Sequence, residues 1–349
     1  MASIKEEFSM TENLTGKPLA EDETAVAPIV VKDPATSRDN EVRPFQIGEN
    51  PDESGVRGRA VRLGTVAEQI LAAHNYPEPV GKILGEALAL VAMLGSILKR
   101  EGMITLQMKS GGPIPMLVAD YDFDGSVSSL RGYADVDQEK YQQYGKSPSF
   151  NGLIGSKNGY LAITIDPKDS ERYQGIVDLK GDSLASVAEA YFKQSEQLPT
   201  AVQLAADRDP VTHHWRVGGA MIQHLARGEE GRARIMSPAG EEEWNRAKIL
   251  LSTVKDTELL DPALTLDDVL FRLFHEDGVR VFDALRLAKG CRCERDRLLR
   301  ILSTFSAEDR EEMTVDGQIS MLCQFCNHSF DFDPKVVEEA IAAKATAAS

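Results

Sequence analysis

The sequence has few of the features that place a protein in a membrane, in a secretory pathway or on nucleic acid. Its longest uncharged apolar run, Ala87 to Leu98, has 12 residues, whereas a membrane-spanning helix needs roughly 20. The N-terminus (MASIKEEFSM) has neither the apolar core of a secretory signal nor an Arg-rich amphipathic pattern. The chain contains 39 Lys and Arg against 55 Asp and Glu, which gives a net charge of −16. This charge disfavours nonspecific binding to the phosphate backbone of nucleic acids and to anionic lipid. We expect a cytoplasmic protein that binds neither nucleic acid nor membranes.

Cysteine is equally scarce. The 349 residues contain four, and all of them lie after residue 290. In the cytosol, thiol buffers keep cysteines reduced, so a permanent disulfide framework is not expected. Walker loops and the motifs G-x-G-x-x-G, G-x-S-x-G and H-E-x-x-H are missing too, so nothing supports nucleotide use or hydrolysis. We predict no catalytic residues and a protein that is not an enzyme.

The first part of the sequence indicates a tail followed by a folded domain. Residues 1–44 are rich in Thr, Glu, Asp, Pro and Ala without sustained periodicity, which predicts a disordered acidic tail. From Gly64 onward, Thr65 is expected to cap a helix that breaks at Tyr76–Pro79. A longer helix follows, with one apolar stripe that must face a core. The stripe comprises Val80, Ile83, Leu84, Ala87, Leu88, Val91, Leu94 and Leu98.

After Gly102 the apolar period changes from helical spacing to two. Ile104, Leu106 and Met108 alternate with polar residues, which predicts a strand. Comparable runs occur at Met116–Ala119, Leu161–Ile165, Gly175–Leu179, Ala201–Leu204 and Val217–His224. Ser183 is expected to begin an amphipathic helix among them. Helices segregated around antiparallel strands predict an α+β core domain over residues 45–226.

Residues 227–286 have the pattern of a helical linker. A charged connector precedes two short amphipathic segments, one from Trp244 to Leu259 and one from a Thr265 cap to Phe274. Helices this short are marginally stable without a docking surface. We therefore predict a metastable linker, followed by a four-cysteine module over 287–334 and an Ala-rich tail over 335–349.

The cysteines form C-x-C (Cys291, Cys293) and, 29 residues later, C-x-x-C (Cys323, Cys326). Two close pairs separated by a small insert can hold one Zn²⁺ tetrahedrally. Between the pairs the sequence predicts a helix over Glu294–Leu302, a capping box of Ser306 with Asp309, and a hairpin turn at Val315–Gln318. Asn327 follows the last cysteine and tolerates a positive φ next best after glycine. We predict one Zn²⁺ per chain, held by all four cysteines.

The cysteines alone leave several functions open. Zinc holds sulfur as thiolate, the form that oxidants attack, so the site could be a redox switch. Oxidation would then remove about 10–16 kcal/mol of zinc-coupled folding energy. A purely structural zinc ribbon, as in a nucleic-acid binder, fits the cysteines equally well. A thiol oxidoreductase using Cys323 and Cys326 is disfavoured. The catalytic C-x-x-C of a thioredoxin-like enzyme begins a helix in a βαβ unit, and the sequence around Cys323 and Cys326 does not have that pattern. His328 could in principle replace one cysteine ligand.

Longer motifs favour the redox switch. They are His74–Val80 (HNYPEPV), Glu171–Gly175 (ERYQG), Tyr191–Thr200 (YFKQSEQLPT), Gly218–Gly219 and Leu270–Glu276 (LFRLFHE). Over about Gly55 to Pro334, with these motifs and both cysteine pairs, the chain resembles the redox-regulated bacterial heat-shock chaperones of the thirty-three-kilodalton class. The N-terminal and C-terminal extensions, and Asn327 in place of the family's glycine, depart from the family pattern.

The resemblance implies an ATP-independent holdase that is inactive while reduced and zinc-bound. Oxidation would pair Cys291 with Cys293 and Cys323 with Cys326, release zinc and destabilise the linker. The exposed surface would then bind unfolded or partially unfolded client proteins and prevent their aggregation. The resemblance also implies that the active form is a homodimer.

Overall fold

The computed structural model describes residues 39–48, 55–145, 148–155, 159–225 and 237–347. They divide into two compact units, one ending at Lys289 and the other beginning at Gly290. Most of the predicted acidic tail lies outside the described residues. Its last part needs a correction, because Glu41–Pro44 belong to the first strand of the sheet and are not disordered.

The first unit is built on a mixed sheet of 11 strands. The strands are β1 (Glu41–Ile47), β2 (Val56–Leu63), β3 (Gly102–Lys109), β4 (Met116–Phe123), β5 (Ser128–Asp135), β6 (Tyr160–Pro167), β7 (Tyr173–Asp178), β8 (Thr200–Arg208), β9 (Trp215–His224), β10 (Val279–Val281) and β11 (Leu285–Lys289). Their order is β7-β6-β3-β4-β5-β11-β1-β2-β9-β8, and β10 also pairs with β1. The predicted antiparallel pairing is confirmed with one exception, since β11 runs parallel to β5.

Eight helices are described in this unit, five before residue 225 and three in the predicted linker. They are α1 (Thr65–Leu71), α2 (Glu78–Gly95), α3 (Gln138–Gln142), α4 (Phe150–Ile154), α5 (Leu184–Tyr191), α6 (Pro238–Ser252), α7 (Asp256–Leu260) and α8 (Leu266–Phe274). The caps predicted at Ser183 and Thr265 are confirmed, and both form capping boxes. The α+β class is therefore confirmed.

Two helix predictions need correction. Thr65 does not cap α1 but is its first residue. The N–H groups of Gly64 and Val66 at the start of the helix donate instead to the Oδ1 atom of Asn40, both at 3.0 Å. The expected helix from Trp244 to Leu259 is two helices, α6 and α7. Helix α6 begins earlier than expected because the Ser237 side chain caps it ahead of Pro238.

Helix α2 is the centre of the core. The predicted stripe is buried from Val80 to Leu94, whereas its last member, Leu98, lies beyond the end of the helix and is half-buried. Burial extends around the whole helix, and every residue from Ala87 to Gly95 is inaccessible to solvent or nearly so. Its small residues permit close packing, since a Cβ at Gly81 would lie 2.4 Å from the Trp215 ring. The helix contacts strands from both halves of the sheet, including β4, β5, β8 and β9. One extended apolar core results.

The second unit is small. It contains α9 (Arg295–Leu302), α10 (Ala307–Glu312), β12 (Thr314–Val315), β13 (Gln318–Leu322), β14 (Ser329–Phe332) and α11 (Pro334–Ala347). The Ser306–Asp309 capping box is confirmed. So is the hairpin turn, where Asp316 and Gly317 have φ values of 51° and 78°, as a type I′ turn requires.

The predicted end of this unit at residue 334, with a separate Ala-rich tail after it, is wrong. Residues from Pro334 onward form helix α11, and Val337 is fully buried with Leu302, Ile319 and Phe332. Glu338 of the same helix accepts a hydrogen bond from Arg310 at 2.7 Å. The segment therefore supplies part of the module's core, which composition alone did not indicate.

Candidate metal centre

The four cysteines come together from two parts of the second unit. Cys291 and Cys293 lie just before α9, and Cys323 and Cys326 lie between β13 and β14. Their sulfur atoms all lie within 4.8 Å of one another. The Sγ–Sγ distance is 3.6 Å for Cys291 and Cys323 and 3.3 Å for Cys293 and Cys326. Four Zn–S bonds of about 2.3 Å in a tetrahedron place sulfurs about 3.8 Å apart, so the donor set fits such an ion.

A tight turn of the backbone shapes the second pair. Asn327 donates its N–H to the Cys323 carbonyl at 2.8 Å, and Cys323 donates its own to the His328 carbonyl at 2.9 Å. Asn327 has a φ of 56°, so the predicted need for a positive φ at this position is confirmed. The N–H groups of Phe325 and Cys326 point at the Cys323 sulfur. This turn presents two sulfurs toward one point.

The local environment separates the thiols by acidity. Burial raises the pKa of the Cys323 thiol, but the backbone hydrogen bonds from Cys326 and Phe325, together with hydrogen bonds from the thiols of Cys291 and Cys326, lower the net pKa. Burial and the neighbouring thiols raise the pKa of Cys293. Burial also raises the pKa of Cys326. Four thiolates this close repel one another, so a cation among them would stabilise the fully deprotonated set.

Histidine does not join this cluster. In the described part of the chain, the group of side chains that could hold a metal consists of the four cysteines. The ring of His328 packs edge-on against Phe330, with centroids 4.5 Å apart. His213 and His214 are exposed in the turn between β8 and β9. The alternative of a histidine ligand therefore finds no support in the geometry.

The sulfur distances also bear on oxidation. All four cysteines are free thiols, and two close Sγ–Sγ contacts run between the pairs, Cys291 to Cys323 and Cys293 to Cys326. Tetrahedral clustering produces such contacts whichever disulfides form later. The pairing within C-x-C and within C-x-x-C stays a prediction.

The linker helices dock on one face of the sheet in the first unit. An apolar cluster joins strands β1, β2, β8 and β9 to helices α6 and α8. Phe45 of β1 stacks on Phe274 of α8 with ring centroids 5.8 Å apart, and His224 of β9 stacks on Trp244 of α6 at 5.4 Å. A second small cluster holds Leu259 of α7 and Val269 of α8 against Ala205.

Two arginines hold the linker through its main chain. Arg62, 2% exposed, donates from Nε to the Leu259 carbonyl at 2.9 Å, from Nη2 to the Glu258 carbonyl at 2.9 Å, and from Nη1 to the Leu264 carbonyl. Arg216 donates from Nε to the Leu260 carbonyl at 2.7 Å. Three of these carbonyls end α7, where a helix has no partners of its own for them. Sequence analysis missed both arginines; the available signal was a basic side chain inside a strand pattern.

The fold and the site together define the class of protein: an α+β sheet domain with a docked helical linker, followed by a module whose four cysteines can hold a metal ion. The model of the family described as Hsp33 protein matches residues 50–333. The chain belongs to this family and is an Hsp33-family chaperone.

Individual relatives agree. The chain is 40% identical over 303 residues to the 33 kDa chaperonin of Caulobacter vibrioides, covering 85% of this chain and 95% of the relative. It is 35% identical over 288 residues to the 33 kDa chaperonin of Shewanella loihica, covering 82% and 92%. The crystal structure of the 33 kDa chaperonin (heat shock protein 33 homolog) from Thermotoga maritima has a similar fold, with a TM-score of 0.71, 22% identity, and coverage of 88% and 99%.

Within the described ranges, no helix is both long enough and apolar enough to cross a bilayer.

Proposed function

We propose that this chaperone is a redox-regulated, ATP-independent holdase of the cytoplasm. In this proposal the reduced, zinc-bound form is inactive, and oxidation produces a form that binds unfolding proteins and prevents their aggregation. The observation that carries the proposal is the cluster of four free thiols within 4.8 Å, in a chain that belongs to a chaperone family. The protein acts by binding and not as an enzyme.

Zn²⁺, one per chain, is the ion proposed for Cys291, Cys293, Cys323 and Cys326. Four thiolates in tetrahedral reach select zinc over the hard cations that prefer oxygen ligands. When bound, zinc would keep the sulfurs deprotonated and contribute folding energy to a module with four fully buried apolar side chains. The turn at Asn327 and helix α9 orient the sulfurs.

The proposed activation step is a two-electron oxidation of each cysteine pair. The thiolates of Cys291 and Cys293, and those of Cys323 and Cys326, each give two electrons to one molecule of peroxide, which takes up two protons from solvent and is reduced to two molecules of water. One S–S bond forms per pair, and one O–O bond breaks. Disulfide sulfurs are poor ligands compared with thiolates, so the site loses its affinity for the ion.

The chain carries the consequence to the linker. Gly290 alone separates Cys291 from β11, which pairs with β1 and β5, and the linker helices immediately precede β10 and β11. Helices α6 to α8 are short and depend on docking. Unfolding of the cysteine module after zinc loss would therefore free these helices from the sheet and expose its apolar face. Unfolded or partially unfolded clients would bind there, and active subunits would pair as a homodimer.

Light scattering from a thermally unfolding client protein tests the proposal. The zinc-loaded, reduced chain should leave aggregation unchanged, whereas the chain treated with peroxide or hypochlorite under mild heat should suppress it, with about one zinc released per chain in the same sample. Suppression by both forms would indicate a constitutive holdase with a structural metal. Suppression by neither would contradict the proposal.

A further inference from the structure

Arg62 and Arg216 bind the linker through main-chain carbonyls, which any polypeptide possesses. Within the described residues, the hydrogen bonds from Arg62 and Arg216 to the linker all end on main-chain carbonyls, those of Glu258, Leu259, Leu260 and Leu264. No linker side chain takes part in them. A carbonyl oxygen is the same acceptor in every residue, so these hydrogen bonds do not depend on the linker's side chains.

The arginines stand beside an apolar surface. Ala60 on β2 and Ala220 and Ile222 on β9 lie on the strands that carry the two arginines, and they belong to the apolar cluster that packs against the linker helices. Phe45 on the neighbouring β1 belongs to the same cluster. An unfolded chain presents both kinds of group at once, apolar side chains and carbonyls without intramolecular partners. The face covered by the linker is therefore chemically suited to a partner of that class.

The sheet-domain carboxylates that act on Arg62, those of Asp39 and Glu41, already have other arginine partners. The carboxylate of Asp39 is paired with Arg216 at 2.9 Å, and that of Glu41 with Arg286 at 3.0 Å and Arg43 at 3.5 Å. Burial lowers the pKa of Arg62 to about 10, which reflects how little water reaches it while the linker is docked. Once the linker leaves, the Arg62 donors lose their three carbonyl acceptors and face the exposed surface.

The backbone opposite Arg62 is shaped for a carbonyl as well. Gly218 is the ladder partner of Arg62 in β9, and a Cβ there would lie 2.6 Å from the Leu259 oxygen. Any larger residue would push that carbonyl away from the sheet. Gly218 leaves space for a carbonyl oxygen, and the Arg62 guanidinium donates hydrogen bonds to carbonyls beside it. Together they form a carbonyl-binding site on the strands that does not depend on the side chain of the bound residue.

We propose that Arg62 and Arg216 are client-binding residues that hold main-chain carbonyls of unfolded polypeptide, and that the linker occupies their site in the resting protein as an internal substitute for the client. This inference rests on the proposed function. It adds to that function a named site and the chemical group recognised there, and it explains how one surface can serve clients of unrelated sequence.

Two variants of the full chain separate client binding from linker anchoring. Arg62→Met removes the donors from the sheet and keeps the apolar stem. Phe274→Ala loosens the linker from the linker side and leaves both arginines in place. In the reduced, zinc-loaded form, both should lower hydrogen-exchange protection of residues 256–274. Arg172→Met, on an exposed side chain of the same unit, should change nothing.

The deciding measurement is affinity in the oxidised, zinc-released form. Fluorescence anisotropy with labelled, reduced and carboxymethylated α-lactalbumin, a permanently unfolded chain, should show about tenfold weaker binding by Arg62→Met, the scale of a lost charged hydrogen bond. Phe274→Ala should bind as the unaltered chain does. Equal affinity of Arg62→Met and Phe274→Ala would make Arg62 a linker anchor only and overturn the inference.

Three controls keep the outcome readable. Arg216→Met, which removes one linker bond instead of three, should fold if Arg62→Met does not, and should weaken binding by a smaller factor. The Arg62→Met effect should persist at about 0.5 M salt, because bonds to neutral carbonyls are screened less than ion pairs; its disappearance would mean that the arginine attracts client charge. If the oxidised, unaltered chain fails to bind, the proposed function fails, and not this inference alone.

Discussion

The sheet domain and the cysteine module differ in what can stabilise them. The sheet domain buries α2 on all sides within one large apolar cluster. The module has four fully buried apolar side chains, Leu302, Ile319, Phe332 and Val337. A core of that size supplies little folding energy, and natural domains so small usually need a metal or a crosslink. The comparison teaches that one chain can contain a domain whose own core is large enough to stabilise it and a module whose core is too small to do so.

The linker lies between these extremes. It packs on the sheet through apolar contacts at Phe274 and Trp244, yet much of its polar anchoring comes from Arg62 and Arg216 and not from its own residues. Its stability is therefore borrowed from the face it covers. A segment of this kind can leave without unfolding the domain beneath it.

Removing one ligand should produce the largest difference between the two units. In Cys326→Ser we expect loss of bound zinc and of exchange protection in β13 and β14, because about 10–16 kcal/mol of metal-coupled free energy is no longer available. Protection of α2 should be unchanged. Hydrogen exchange with zinc quantification measures both, and Ser320→Ala on β13 is the matched control. Persistent protection of β13 without zinc would contradict a metal-dependent module.

The reverse substitution should affect the sheet domain alone. Leu84→Ala on α2, at a fully buried position, should lower that domain's free energy of unfolding by about 2–5 kcal/mol through lost contacts and a cavity. Zinc stoichiometry should stay at one. Denaturant unfolding of the reduced chain gives the first quantity, and Leu302→Ala in the module should show the opposite pattern. Zinc loss in Leu84→Ala would mean that the two stabilities are coupled.

A pH prediction tests the borrowed stability of the linker. Burial and nearby Asp256 of α7 raise the pKa of Glu86 on α2 to about 7. A carboxyl with a raised pKa favours the docked state fully below its ordinary value near 4.5 and loses that contribution as pH rises through 7.

Glu86→Gln should therefore protect residues 256–260 more than the unaltered chain at pH 8, by about 1 kcal/mol, and equally at pH 5. Exchange rates corrected for intrinsic pH dependence provide the measurement. Glu139→Gln on exposed α3 should have no such effect. A difference of the same size at both pH values would exclude titration of Glu86 as the cause.

The smallest expected effect compares the same strain in both units. Asn327 in the module and Asn75 in the sheet domain have φ values of 56° and 49°. Glycine adopts such angles more readily, so each Asn→Gly change should stabilise its own unit by about 0.5–1 kcal/mol. Asn327→Gly should slow zinc transfer to a chelator, and Asn75→Gly should raise the denaturation midpoint of the sheet domain. Any effect of Asn75→Gly on zinc transfer would blur the distinction between the units.

Strands show where sequence reasoning succeeded and where it stopped. Strand β3 was predictable because Ile104, Leu106 and Met108 point to one face at every second residue. Strand β1 was not, because Pro44 disfavours a strand interior and the preceding residues look disordered. Strand β11 has five residues, too few for a pattern. Both are strands because partners distant in the sequence pair with them.

The candidate site divides in the same way. The two cysteine pairs, the capping box at Ser306 and the turn at Asn327 follow from residue types a few positions apart, since caps, tight turns and close cysteine pairs depend on neighbouring residues. The C-terminal helix could not be read from composition, because the burial of Val337 that stabilises it depends on Ile319 and Phe332. Local signals do not report such contacts.

By itself the sequence determined the α+β class, the two cysteine pairs that could hold a metal ion and the caps at Ser183, Thr265 and Ser306, because each depends on periodicity or on neighbours within one or two turns. Only the tertiary structure decided that β11 joins β5 to β1 and that Arg62 meets three carbonyls nearly 200 residues further along the chain. Those contacts arise because burial of a shared apolar face brings distant segments together, and burial on that scale leaves no local pattern.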